Sequence, residues 1–156
     1  MFSSNEKVDR QFLIDDLNDL IQLHYDLIAS YQNVLDKAPS RVMKTQMEQF
    51  IAAHRAQIDA LTDVIQENYG HAKSGTGMDE LTLKLRLAAG QLFSESGMYA
   101  AMKANEEKLV VEYQRAINSL VALPGMEPVL LGNYEAARYR VVTIEHLLAH
   151  AKAERK

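Results

Sequence analysis

The chain has 156 residues, of which 47% are hydrophobic and 24% charged, with a formal net charge of −4; this suits one soluble domain with a real core and offers no basic field to nucleic acid or an anionic membrane. It contains no cysteine, which excludes disulfides, thiolate catalysis and cysteine-based zinc or iron–sulfur sites together. Residues 1–10 lack the apolar stretch of a secretory signal, and no apolar run approaches the roughly 18 residues of a membrane span, so a cytoplasmic protein is expected.

Helical periodicity runs through the chain and nothing has the alternation of a strand, so an all-α fold of a single domain, 1–156, is expected. The spacing predicts helices over about 8–37, 40–69, 79–93, 98–123 and 127–153. In the first, Leu13, Leu17, Leu20, His24, Leu27, Tyr31 and Val34 form one seam, while Asp15, Asp16, Asp19 and Asp26 fall off it. Pro39 ends this helix and Ser40 is a natural N-cap for the next. The second seam is Met43, Met47, Phe50, His54, Ile58, Leu61 and Ile65, closing at Tyr69-Gly70. A glycine-containing loop follows, and Thr76 with Asp79 resembles a capping box opening the short helix over 79–93.

The third seam, Met98, Met102, Glu106, Leu109, Tyr113, Ala116, Leu120 and Leu123, closes at Pro124-Gly125. Pro128 suits the first turn of the fourth helix, whose seam is Leu130, Tyr134, Ala137, Val141, Ile144 and Leu148. Two tight hairpins joined by a long connection from Gly70 to Gly97 describe an up-down four-helix bundle with a crossover.

Polar residues interrupt the apolar seams at mid-helix: His24, His54 and Glu106, with Glu135 and Arg138 one turn apart beside the fourth seam. His24 precedes the Pro39 turn by about fifteen residues and His54 follows it by about fifteen, so both lie roughly 22 Å from one end of the bundle. A buried ionisable group must be paired, neutralised or metal-bound. His24, His54, Glu106 and Glu135 make a two-histidine, two-carboxylate set that suits iron or zinc. The competing reading is a His–Glu–Arg hydrogen-bond network, and the permanent charge of Arg138 favours it over metal. Tyr31 and Tyr113 are expected as core residues with a hydroxyl handle. No nucleophile elbow or phosphate-binding glycine loop is present, so the reading leans away from an enzyme.

Leu17-Asn18-Asp19-Leu20-Ile21, followed by His24 and Tyr31, resembles the first helix of ferritin-like proteins. That resemblance implies two hairpins, each giving a Glu from its first helix and a Glu-x-x-His from its second, to hold two irons. Here the first-helix position is His24, the second helix has Ile51 and His54, the third keeps Glu106, and the fourth has Glu135 and Arg138. Two carboxylates are too few for a di-iron centre. The stretch from Glu106 through Tyr113 to Leu123-Pro124 also resembles uncharacterised bacterial ferritin-like proteins whose domain is of unknown function. The leading expectation is a non-enzymatic interaction or self-association module, a homo-oligomer (a dimer) without nucleic-acid or membrane partners, and the resemblance adds a stress-related role. The alternatives are a metal-binding redox or metal-handling protein, and a small-ligand carrier with a cavity beside the polar layer. Leu81, Leu83, Leu85, Leu87 and Leu92 exceed what one stripe needs and are expected to face a partner.

Overall fold

The first helix, α1 (Ser4–Val34), tightens into a 3-10 turn at Leu35–Lys37, and the chain reverses over Pro39 into α2 (Arg41–Glu67). Ser40 is the N-cap of α2: its hydroxyl accepts from the Met43 N–H at 3.1 Å. The computed structural model describes residues 4–75, 94–119 and 121–154. Its other long helices are α3 (Glu95–Ile117), capped by Ser94, and α4 (Met126–Glu154), entered through Gly125 at a φ of 80°. No strand occurs among the described residues. α3 stops short of the expected Leu123, with Asn118 as its C-cap. The helix expected over 79–93, with Leu81 to Leu92, lies outside the described residues.

Two side chains show how the helices run. The Ser40 hydroxyl donates to Glu95 Oε1 at 2.8 Å, which places the start of α3 beside the start of α2. Asn68 Nδ2 donates to the carbonyls of Val64 and Pro124, which ties the end of α2 to the turn between α3 and α4. The pairs α1–α2 and α3–α4 are therefore antiparallel hairpins, and α1 also packs on α3 and α2 on α4. The connection after α2 starts at one end of the bundle and delivers the chain to the other.

Its first residues climb α1: Asn18 donates to the His71 carbonyl and accepts from the Lys73 N–H. Gly70 sits closely against α1 here: a Cβ would come within 2.7 Å of Ile14 Cδ1, and that side chain would have to shift.

The core takes the apolar seams of all four helices. Leu17, Ile21, Leu27, Met43, Met47, Leu61, Ile65, Met98, Met102, Leu109, Ala137 and Ile144 are buried in it. Each large aliphatic side chain sealed this way stabilises the fold by about 1.5–3 kcal/mol relative to exposure. No helix among the described residues is long and apolar enough to cross a membrane.

Candidate functional site

Midway along this core a polar layer replaces the apolar one. Residues seven apart on a helix share a face after two turns, and three helices use that spacing: His24 and Tyr31 on α1, Glu106 and Tyr113 on α3, Asn133 and Arg140 on α4. α2 adds His54 and, one turn on, Gln57. His24, His54, Glu106, Tyr31 and Tyr113 are all 0% exposed, and Arg140, Gln57 and Asn133 are also buried.

Glu106 is the hub. Its Oε1 lies 2.7 Å from His54 Nε2 and accepts from the Tyr31 hydroxyl at 2.7 Å, while Oε2 accepts from Arg140 Nε at 2.9 Å. Arg140 Nη2 also donates to Gln57 Oε1 at 3.0 Å. Away from the carboxylate, His54 Nδ1 lies 2.8 Å from His24 Nδ1, and His24 Nε2 lies 2.6 Å from the Tyr113 hydroxyl. Asn133 Nδ2 donates to that same hydroxyl oxygen at 2.9 Å.

Burial pushes the Glu106 carboxyl up, but the facing His54 and Arg140 outweigh this and hold it well below the usual carboxylate range. Glu106 is thus an anion and can only accept. That fact and the neutrality of both imidazoles assign every proton in the chain. His54 Nε2–H donates to Glu106, so the Nδ1 of neutral His54 accepts from His24 Nδ1–H. The Nε2 of neutral His24 then accepts from the Tyr113 O–H, whose oxygen accepts from Asn133.

Both imidazoles are held neutral. Burial lowers His24, with the cost of charging it beside His54 and the Arg140 cation adding to this, and burial lowers His54 despite the Glu106 charge. Burial also raises the phenols of Tyr31 and Tyr113 above their ordinary value, so both stay protonated donors.

Of the four residues expected as metal ligands, His24, His54 and Glu106 meet in this layer and Glu135 does not. Glu135 is exposed on the outer side of α4, and Arg138 is exposed as well, its guanidinium 5.7 Å from the Tyr134 ring centroid. The cation beside Glu106 is Arg140 instead.

As arranged, the donors do not fit iron or zinc. The free lone pair of each imidazole already accepts a hydrogen bond, from Tyr113 and from His24, and Glu106 accepts three. The single carboxylate is neutralised by Arg140, leaving no anion for a divalent ion. Among the described residues no three His, Cys, Asp or Glu side chains are grouped to hold a metal ion.

Arg140, Asn133 and Gln57 escape the sequence reading for a geometric reason. Two seams fit α4 with alternating steps of three and four. They share Leu130, Ala137 and Ile144 and differ in taking Tyr134 with Val141 or Asn133 with Arg140. Hydrophobicity favours the first, and the fold buries the second. The available signal was the spacing of seven between Asn133 and Arg140, which repeats that of His24–Tyr31 and Glu106–Tyr113.

Among the described residues, surface grooves of about 300, 270 and 150 Å³ are lined by other residues: Asp16, Leu20 and Lys108 in the first, Arg10 and Pro124 in the second, Tyr99 and His150 in the third.

Compared with known proteins, residues 13–119 match the model of a family described as a domain of unknown function, DUF2383. The match covers more than half of the chain and the chain belongs to that family. It takes in His24, His54 and Glu106 and ends before Asn133 and Arg140. No curated protein and no solved structure matches the chain.

Proposed function

We propose that this DUF2383 protein is a non-enzymatic helical module of the ferritin-like kind, which acts through its outer surface on a protein partner or on a second copy of itself. The observation that carries this reading is the closure of the polar layer. Its carboxylate, both imidazoles and both phenols are 0% exposed, and each makes its hydrogen bonds to other members of the layer. A catalytic acid or base must come within hydrogen-bond reach of a substrate proton, and here those positions are taken by the protein itself.

A satisfied polar network of this kind serves the fold by specifying one packing of the four helices. The ferritin-like part of the reading is supported by two antiparallel hairpins whose connection passes from one end of the bundle to the other. It is supported as well by the facing of Tyr31 to Glu106 and of Tyr113 to His24 across the two hairpins.

Elemental analysis of protein purified without chelator or tag metal tests the reading, together with thermal unfolding in added iron(II) or zinc. The expected result is metal far below one equivalent and an unfolding temperature that does not rise. Near-stoichiometric metal that is lost on His54→Ala would overturn the proposal and make the layer a metal centre.

A further inference from the structure

The inner side of α4 is Leu130, Asn133, Ala137, Arg140 and Ile144; half a turn away lies the side made by Leu131, Glu135, Tyr139, Val142, His146 and Ala149. Three large apolar residues on that outer side are open to solvent: Leu131 is 44% exposed, Tyr139 74% and Val142 48%.

Gly132 adjoins them. A glycine inside an exposed helix costs about 1 kcal/mol relative to alanine, and a Cβ at Gly132 would meet nothing within 4 Å. Among the described residues nothing therefore calls for glycine there, whereas close approach by a second helix would.

The polar groups on this face complement themselves, with Glu145 also lying 3.5 Å from Lys103 Nζ of α3. Glu135 and His146 lie on the strip, and Arg138 and Glu145 run along one edge of it. When the face is laid antiparallel on its own copy, the register that sets Glu135 against His146 of the second copy also brings Arg138 near Glu145 of that copy. The midpoints of these two pairs fall one residue apart, on either side of Val141. In the same register Tyr139 and Val142 of both copies flank the twofold axis. An isologous contact of this kind closes at two copies.

We infer that the outer face of α4 docks a second copy of this chain, antiparallel, about a twofold axis near Val141. The inference rests on the surface-acting reading above and narrows it to one face and one partner.

Size-exclusion chromatography with light scattering, run over a series of concentrations, tests it on the intact chain. Four proteins are compared: wild type, Tyr139→Glu, Glu135→Lys, and Glu135→Lys combined with His146→Glu. These positions are exposed, and far-UV circular dichroism checks that each variant keeps the helical fold.

The expected result is a wild-type dimer, a dissociation constant at least about tenfold higher for each single variant, and recovery in the charge-swapped pair. A wild type that stays monomeric at hundreds of micromolar overturns the inference. So does a dimer that Tyr139→Glu leaves intact, or a charge swap that restores nothing. A monomer without metal removes this docking face and leaves the module for another protein partner, whereas stoichiometric metal in the layer removes the broader reading whatever the mass.

Discussion

Replacing Glu106 by glutamine is the sharpest probe of the layer, because it keeps the shape and removes the charge on which the proton assignment depends. The carboxylate accepts from His54, Tyr31 and Arg140. A glutamine oxygen at the Oε1 position can keep the first two bonds, but its NH₂ then meets the Arg140 N–H, donor against donor. Flipping the amide moves the conflict to His54 and Tyr31. Either way Arg140, 3% exposed, becomes a buried cation without its carboxylate, held at most by neutral oxygens such as Gln57 Oε1. Stranding one member of a buried ion pair costs about 3–5 kcal/mol, a large part of the roughly 5–15 kcal/mol that holds a domain folded.

Urea denaturation followed by far-UV circular dichroism, extrapolated linearly to water, measures the loss. Adding Arg140→Met removes the stranded charge, so the double variant should be more stable than the sum of the single effects predicts, by about 1–3 kcal/mol. A loss below about 1 kcal/mol for Glu106→Gln, or strictly additive singles, would refute the hub role of this carboxylate.

Two further outcomes are expected. Tyr113→Phe takes the donor from His24 and the acceptor from Asn133 and should cost about 1–3 kcal/mol in thermal or urea unfolding, whereas Tyr99→Phe removes a buried hydroxyl with no hydrogen-bond partner among the described residues and should be neutral or slightly stabilising; the opposite ranking would contradict the network. Stability should also fall on mild acidification: both buried histidines have folded values below the ordinary 6.5, so below about pH 6.5 the unfolded chain binds more protons than the folded one. With two such groups the slope approaches about 2.7 kcal/mol per pH unit at most, and Glu106, lowered from 4.5, adds a further loss below about pH 4.5. Urea midpoints that stay level or rise between pH 7 and pH 5 would show that the imidazoles are not held neutral.

The helices themselves were legible because amphipathic periodicity and caps are local. The apolar steps of four and three locate α1 and α2, and Ser40 and Pro39 mark the turn between them. Depth along the bundle was legible too. Equal spacing of His24 and His54 about that turn places them at one level, and their rings approach to 2.8 Å. Glu106 could be picked out as a charged residue between Met102 and Leu109 on one seam.

The rotation of α4 about its axis was not legible. Tyr134 and Val141 make the more apolar seam, and a sequence carries no term for what a polar side chain would meet on the inside. Only the packed helices show that Glu106 and Tyr113 wait there for Arg140 and Asn133.

By itself, then, the sequence determined the all-helical fold, the two hairpins and the three-residue heart of the polar layer, because each follows from spacing along one chain. The tertiary structure decided which side of α4 turns inward, and hence that Arg140 rather than Glu135 and Arg138 completes the layer. The physical reason is that burying Asn133 and Arg140 costs little when their partners are already in place, and those partners belong to other helices far away in the chain.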